Sequence, residues 1–184
     1  MNNAAVDDTV LQGPRVRLRR WRASDLEPFA AMNADAAVMR HFVAPLARED
    51  SDAMAGRIAA HFERRGYGWW ALQTPTLEFA GCVGLVDVAF ELPGLTGPQV
   101  EIGWRLLPAA WGHGYASEAA RLALDHARHA LQLARVVSFT TLGNQPSMAV
   151  MQRIGLVEIG RFEHPRVPAG HPQRPHVLYA TAWS

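Results

Sequence analysis

The chain has 184 residues, of which 49% are hydrophobic and 19% are charged, a composition that indicates one globular domain and excludes an intrinsically disordered chain. Its formal net charge of +1 argues against nucleic acid or another bulk polyanion as the partner. The single cysteine, Cys82, excludes an internal disulfide and a cysteine-based metal cluster. A single cysteine is typical of a protein in the reducing cytoplasm, which is where we expect this one. Because Cys82 lies in a strand-like segment, we expect its thiol to be buried and unreactive.

The first part of the chain, residues 1–13, is polar and has neither the basic start nor the apolar core of a signal peptide. We expect it to be a flexible leader, followed by one domain that covers residues 14–184. The sequence contains no run of about 18 apolar residues, so we do not expect a membrane as a partner.

Alternating or β-branched apolar residues predict about seven strands. These strands lie at residues 15–21, 69–74, 79–90, 99–107, 135–141, 156–164 and 175–183. Helical spacing and end signals predict four helices, at residues 24–33, 47–65, 114–130 and 146–154. The resulting order, β-α-α-β-β-β-α-β-α-β-β, is typical of a mixed α+β domain built on one sheet.

Three features refine this prediction. Ser24 followed by Glu27 has the spacing of a capping box and predicts the start of the first helix. The second helix is predicted to turn one apolar stripe toward the core, formed by Met54, Ile58, Ala59 and Phe62. The helix that follows the fourth strand predicts a right-handed crossover, so that the fourth and fifth strands run parallel.

The segment WGHGYASEAA, residues 111–120, places two glycines directly before a long helix. A helix start leaves its first N–H groups unpaired and carries partial positive charge, and glycine lets a ligand approach the backbone. The N–H groups of residues 112–117 therefore form a candidate cradle for a phosphate or pyrophosphate. The loop lacks the GK[ST] ending of an NTPase P-loop and the GxGxxG of a dinucleotide site, and a plain tight turn is the alternative.

Several segments together resemble the GNAT acetyltransferase superfamily and, within it, the RimJ/RimL-like branch, whose named members acetylate the N-termini of ribosomal proteins. The segments are SDLEPFAAMN, VEIGWRLLPAAWGHGYASEA, NQPSMAVMQRIGL and EHPRVPAGHPQRPHVLYA, and the resemblance extends from Arg15 to Tyr179. It implies a GNAT-like single domain over residues 14–184. The central sheet would be mostly antiparallel, with about seven strands, a parallel V-shaped splay between strands 4 and 5, and about four flanking helices.

The resemblance implies that acetyl-CoA binds in the V-shaped opening and that no metal takes part. The pantetheine arm would pair with the backbone of the fourth strand, and the pyrophosphate would lie on the glycine loop. Asn144 would hydrogen-bond the arm. The alternative is a turn-forming Asn, which residue type alone favours. Trp111 stands where the superfamily usually has Gln or Arg, which removes a polar side chain and leaves the backbone cradle. The residues assigned to the cofactor are Trp104, Arg105, Leu106, Trp111, Gly112, His113, Gly114, Tyr115, Ala116, Ser117, Asn144 and Ser147.

Glu101, in the strand segment EIGWR, is the candidate general base. A carboxylate within an apolar strand is unfavourable without a partner, and partial burial raises a carboxyl pKa toward a useful range; a salt-bridged Glu at an edge is the alternative. The resemblance places Met151 where many members have a proton-donating Tyr. Ser147 is then the candidate acid, or else a helix-start hydroxyl. Glu118 is expected to complement the helix N-terminus.

The function implied by the resemblance is direct transfer of an acetyl group from acetyl-CoA to a primary amine, in a ternary complex. The amine would belong to a protein or peptide N-terminus or to a small molecule. The alternative is a catalytically silent acyl-CoA-binding module, supported only by Met151. His176 would line the acceptor site or serve packing, and His126 and His129 are expected on a solvated helix face. We expect a monomer or a homodimer.

Overall fold

The computed structural model describes residues 10–183, whose strands form one mixed sheet. The strands are β1 (Leu11–Gln12), β2 (Arg17–Arg19), β3 (Trp69–Gln73), β4 (Gly81–Asp87), β5 (Val100–Leu106), β6 (Val137–Thr141), β7 (Leu156–Glu163) and β8 (Pro175–Thr181). The helices are α1 (Leu26–Ala34), α2 (Ala36–Met39), α3 (Arg48–Arg65), α4 (Tyr115–His129) and α5 (Gln145–Arg153). Two short 3-10 helices are added at Ala23–Asp25 and Pro108–Ala110.

The sheet has the order β1-β2-β3-β4-β5-β6-β8-β7. Every neighbouring pair in it is antiparallel except β5 and β6, which run parallel. These two strands are the predicted fourth and fifth strands, so the predicted mixed α+β fold with one parallel pair is confirmed. The structure has eight strands and five α-helices in residues 10–183 rather than about seven and about four.

The additional strand, β1, lies where a flexible leader is expected. Leu11 pairs with Leu18 of β2 in antiparallel register, so the chain joins the sheet before residue 14. The rest of the predicted leader, residues 1–9, lies outside the described residues. The additional helix, α2, is short and is capped by Asp35, the residue before it. The Asp35 carboxylate accepts hydrogen bonds from two N–H groups of the first turn of α2.

The start of α1 also differs from the prediction. The capping interaction involves Asp25 rather than the pair Ser24 and Glu27, because the Asp25 carboxylate accepts the backbone N–H of Arg22 at 2.7 Å. The same carboxylate forms a buried two-point ion pair with Arg19, at 2.7 and 2.8 Å. A charge-assisted fork of this kind fixes the carboxylate in place, where it also accepts the N–H of Arg22 at the start of the 3-10 helix that leads into α1.

The core-facing stripe of α3 agrees with the prediction in part. Ala55, Ile58 and Phe62 are buried, Met54 is half-buried, and Ala59 is exposed. The buried residues follow the spacing of three and four residues that one helix face requires. The prediction of Ala59 as a core residue is therefore wrong, while Ile58 and Phe62 are confirmed.

The single thiol, Cys82, is fully buried in β4. Burial raises its pKa to about 12, so the thiol stays protonated at neutral pH and is a poor nucleophile. The expectation of a buried, unreactive cysteine is confirmed. Across residues 10–183, none of the helices combines the length and the apolar character that crossing a bilayer requires.

The strands β5 and β6 meet at one point and then diverge. Their ladder consists of one residue pair, Glu101 and Val137, beside which the Ser138 hydroxyl donates to the carbonyl of Ile102 at 2.8 Å. Both strands continue beyond this pair, with no further pairing between them in the described chain. A V-shaped gap therefore opens toward their carboxyl ends, where α4 and α5 begin.

Candidate functional site

The gap between β5 and β6 opens into a cavity of about 1230 Å³. Every residue that the sequence assigns to catalysis or to the cofactor lines this cavity, with the exception of His113. Those that line it are Glu101, Trp104, Arg105, Leu106, Trp111, Gly112, Gly114, Tyr115, Ala116, Ser117, Asn144 and Ser147. The fold therefore brings β5, the glycine loop and the starts of α4 and α5 together at one site.

The backbone of β5 presents hydrogen-bonding groups to this gap. The N–H of Leu107 donates toward β4 at 2.9 Å, and successive residues of a strand point their backbone groups in opposite directions. The groups of Trp104 therefore point away from β4 and into the gap, whereas those of Arg105 point toward β4. The carbonyl of Leu106 also faces the gap but accepts the indole N–H of Trp111 at 2.9 Å. Trp104 is thus the residue of this segment that presents its backbone to a ligand.

The glycine loop before α4 is a tight turn that leaves donors exposed. Gly112 and Gly114 have left-handed φ angles of 78° and 79°, and Trp111 anchors the start of the loop to β5 through its indole. None of the N–H groups of residues 112–117 donates a hydrogen bond to an acceptor within residues 10–183. Because these donors lie at a helix start, they suit an anion. The two readings of the loop, tight turn and anion cradle, are therefore compatible.

Arg15 holds the glycine loop against the start of the sheet, a contact that nothing local in the sequence indicates. Its Nε and its backbone N–H donate to the two carboxylate oxygens of Glu118, each at 2.8 Å. Its Nη1 donates to the carbonyl of His113 at 3.0 Å. Glu118 is the acidic residue in the first turn of α4, as expected, and Arg15 in addition occupies both of its oxygens. His113 stacks on Tyr115, with ring centroids 5.3 Å apart.

Positive charge surrounds the loop. Arg15, Arg121 and Arg153 line this part of the cavity, and Arg121 donates to the carbonyl of Arg153 at 2.8 Å. Guanidinium groups bind phosphate oxygens through charge-assisted, often two-point hydrogen bonds. Arg121 follows Ser117 by four residues and so shares its helix face, a spacing that is visible in the sequence but absent from the predicted site.

Glu101 is half-buried in the cavity wall, at the one residue pair that joins β5 to β6. Within residues 10–183 its carboxyl group takes part in no ion pair, and burial alone raises its pKa to about 8. The alternative of a salt-bridged Glu at an edge is therefore wrong. A carboxyl group with a pKa this close to neutrality is suited to take up and release a proton.

Asn144 and Ser147 mark the start of α5. The Asn144 side chain accepts the backbone N–H of Ser147 at 3.3 Å and donates to the hydroxyl of Thr140 at 2.8 Å. Asn144 rather than Ser147 therefore caps the helix. The Ser147 hydroxyl lines the cavity, with no hydrogen bond to it from the described chain. Met151 is only 1% exposed and belongs to the core, so its position supplies no proton donor to the cavity.

Rings of β6, β8 and the segment after β7 line another part of the cavity. Phe139, His164 and His176 are among them, and the two imidazole centroids lie 4.8 Å apart. Burial lowers the pKa of both histidines, and His176 and Arg166 help to bring that of His164 to about 4. Both imidazoles are therefore uncharged at neutral pH. His176 lines the cavity and also packs, which combines the two alternatives left open for it.

The remaining histidines offer no metal site. Within residues 10–183, no group of three or more His, Cys, Asp or Glu side chains is arranged to hold a metal ion. His129 is exposed near the end of α4, as expected. His126 is not on a solvated face, because it is half-buried and lies edge-on to Trp70 with ring centroids 5.7 Å apart.

Comparison with known sequences places this site in a family. A family model described as an acetyltransferase (GNAT) domain matches residues 15–157. The chain is 35% identical over 95 residues to YkkB, an uncharacterized protein of Bacillus subtilis (strain 168), and the alignment covers 50% of this chain and 53% of YkkB. It is 25% identical over 154 residues to YoaA, an uncharacterized N-acetyltransferase of the same organism, with 82% of this chain and 84% of YoaA covered. In the alignment with YkkB, the chain spans about half of that protein's length.

Comparison with solved structures concerns the fold. The structure of RimL, a ribosomal L7/L12 alpha-N-protein acetyltransferase in complex with coenzyme A, matches with a TM-score of 0.74 at 18% identity, covering 94% of this chain and 97% of RimL. The fold is thus shared with the namesake of the predicted branch. The family model covers most of the chain, including β5, the glycine loop and α5. The predicted resemblance to the GNAT superfamily is confirmed, and the chain belongs to the GNAT acetyltransferase family.

Proposed function

We propose that the protein transfers the acetyl group of acetyl-CoA directly to a primary amine, in a ternary complex of enzyme, acetyl-CoA and acceptor. The acceptor amine belongs to a protein or peptide N-terminus or to a small molecule. One observation carries the proposal: Glu101, with a pKa of about 8 and no ion pair within residues 10–183, shares a cavity with unpaired loop N–H groups. A module that only bound acyl-CoA would have no need of such a proton acceptor.

The residues around the gap fit acetyl-CoA. The unpaired N–H groups of residues 112–117 suit the pyrophosphate, and Arg121 and Arg153 lie beside them to bind phosphate oxygens. The backbone of Trp104, directed into the gap, suits the amides of the pantetheine arm. Asn144 already uses its side-chain oxygen and nitrogen within the protein, so its contribution is to hold the start of α5 against the gap.

The chemistry requires a neutral amine, a polarised carbonyl and a departing thiol. Acetyl-CoA supplies an acetyl thioester, whose C–S bond breaks as the amine nitrogen forms its bond to the acetyl carbon. The Glu101 carboxylate accepts the proton of the ammonium group, directly or through one water. The N–H of Trp104 is placed to donate to the carbonyl oxygen as negative charge develops on it. The nitrogen loses its second proton as the amide forms, and the thiol leaves with one proton, so the hydroxyl or water that hands a proton to the sulfur regains one from the nitrogen.

Ser147 is the candidate donor of the proton that the sulfur takes up. We expect Ser147→Ala to lower kcat by about tenfold, less than the about 10²–10⁴-fold of a full general acid, because a thiol is already a good leaving group. The affinity for acetyl-CoA should change less than kcat, since Asn144 caps α5 through the Ser147 backbone and the start of the helix stays in place. Steady-state kinetics and calorimetry measure the two quantities. Ser147→Thr keeps a hydroxyl and is the matched control; an unchanged kcat in the alanine variant would remove Ser147 from the mechanism.

An acceptor screen tests the proposed function itself. The panel contains peptides that begin with Ser, Ala, Thr or Met, together with polyamines and aminoglycosides, and release of free CoA thiol is the readout. We expect at least one class to release thiol and to gain the mass of an acetyl group. Tight binding of acetyl-CoA with no thiol release across the panel would instead favour the silent acyl-CoA-binding module.

A further inference from the structure

The charges that line the cavity are unbalanced. Two carboxyl groups line it, Glu101 and Glu118, and Arg15 occupies both oxygens of Glu118. Six arginines line the same cavity, namely Arg15, Arg40, Arg105, Arg121, Arg153 and Arg166. Such a wall repels polyamines and other polycations, whose recognition requires clustered carboxylates.

Arg105 stands out among these arginines because it is buried. It is 8% exposed, and within residues 10–183 it forms no salt bridge. One of its terminal nitrogens donates to the side-chain oxygen of Asn33, and its Nε has no hydrogen-bond partner in the described chain. A buried charge without a counter-ion is unfavourable. Arg105 also lines the cavity, so an anion bound there would supply the missing counter-ion.

The surroundings hold Arg105 in this position. Its guanidinium lies over the ring of Phe42, 4.3 Å from the centroid. Asn33 donates through its nitrogen to the hydroxyl of Ser51 at 2.9 Å, which turns its oxygen toward Arg105. The Phe42 segment is tied to the chain after β7, because Gln173 donates to the carbonyl of Arg40 at 3.0 Å. The guanidinium is thus oriented before any ligand arrives.

Arg105 also has a defined relation to the reacting centre. Glu101 and Arg105 lie on the same face of β5, because their positions differ by an even number, and four residues of strand span about 13 Å. Gly103 lies between them, and the Trp69 indole packs over it, 2.8 Å from where a Cβ would lie. The ring of Trp69, which also lines the cavity, therefore forms the surface between the two side chains. An extended peptide whose N-terminal amine lies at Glu101 would bring its third or fourth residue toward Arg105, and a glutamate side chain on the residue before extends toward the same point.

We infer that the acceptor is an amine that carries a carboxylate a few residues or bonds away, and that Arg105 binds this carboxylate. This inference rests on the proposed function, because the amine must be the group that accepts acetyl. It specifies that function by favouring acidic peptide N-termini or amino-acid-like amines over polycations. In this arrangement the Arg105 guanidinium gains the counter-ion that it lacks, and Asn33 and Phe42 keep it aimed.

Two peptides test the inference, Ser-Glu-Glu-Ala-amide and Ser-Gln-Gln-Ala-amide, which differ only in the charge of two side chains. The wild-type enzyme should favour the acidic peptide about tenfold or more in kcat/KM, the scale of one charge-assisted contact. Arg105→Gln should bring this ratio close to one, and Arg105→Lys should retain much of it. A wild-type ratio of one, or an unaltered ratio in Arg105→Gln, would overturn the inference. Thermal unfolding verifies that both variants fold.

Binding measured without turnover separates this inference from the proposed function. Each peptide is titrated into enzyme that is saturated with CoA, which carries no acetyl group, and calorimetry measures the affinity. If neither peptide is acetylated but the acidic one binds more tightly, and Arg105→Gln removes that difference, the anion site stands and the proposed reaction fails. If neither peptide is acetylated and the two bind equally, the anion site is also overturned.

Discussion

Glu101→Gln should lower kcat/KM for acetyl transfer by about 10²–10⁴-fold near pH 8, because it removes the proton acceptor and retains the shape of the side chain. The expected loss of kcat/KM is large because this carboxyl group is isolated. Burial is the only cause of its raised pKa, and no neighbouring acid or base within residues 10–183 acts on it. The affinity for acetyl-CoA, measured by calorimetry, should change little, because the cofactor cradle lies on the glycine loop.

The pH dependence gives this prediction its sharpest form. Only the ionised carboxylate accepts a proton, and the pKa of Glu101 is about 8, so the wild-type rate should rise with pH and level off above that value. The acceptor amine also titrates, with a pKa of about 8 for an N-terminus. This titration affects the wild type and Glu101→Gln equally. The ratio of wild-type to variant kcat/KM therefore isolates Glu101. A ratio that is flat with pH would exclude Glu101 as the base.

Stability provides an independent control on the same variant. The folded pKa of about 8 lies above the ordinary value of 4.5, so between these values the folded protein holds a proton that the unfolded chain has lost. The stability of the wild type should therefore fall as pH rises through this window, and Gln, which does not titrate, should escape the fall. Thermal unfolding should show the variant to be the more stable protein near pH 8, which also demonstrates that lost activity is not lost folding.

The parts of the site that could be predicted from the sequence are local in the chain. Gly112 and Gly114, directly before a helix, indicate a turn with exposed N–H groups, because the backbone conformation and the helix start are both set within a few residues. Glu101 could be singled out because a carboxylate within an apolar strand needs a reason. In both cases the feature depends on immediate neighbours, and the structure places all three residues in one cavity wall.

What could not be predicted depends on contacts between distant segments. Arg15 meets Glu118 across 103 positions, and Arg105 meets Asn33 across 72. No periodicity or motif joins such pairs. The strand β1 was hidden for a related reason, since two residues are too few to show a strand pattern until β2 lies beside them. The tertiary structure was therefore needed to show that the guanidinium of Arg105 lies buried against Asn33 and Phe42.

Gly112→Asp should weaken acetyl-CoA binding by about 10- to 100-fold relative to Gly112→Asn, because it places a negative charge within a few ångströms of the pyrophosphate. The site suits this comparison, since a Cβ at Gly112 meets no atom within 4 Å. Its φ of 78° strains most side chains, but Asn and Asp tolerate it best and about equally. The asparagine variant therefore carries the same backbone strain and volume without the charge, and calorimetry with CoA compares the two.

The dependence on salt distinguishes an electrostatic effect at the loop from a distortion of it. The difference between the aspartate and asparagine variants should shrink as salt rises, because the loop is exposed and exposed charges are screened over about 8–10 Å at moderate ionic strength. Gly114 is the poorer position for this test, since its Cβ would lie 3.5 Å from the guanidinium of Arg15, so that a carboxylate there would act on Arg15 as well as on the cofactor. Equal affinities of the two Gly112 variants at low salt would mean that the phosphates do not lie on this loop, and the cofactor would then have to be placed along Arg121 and Arg153 instead.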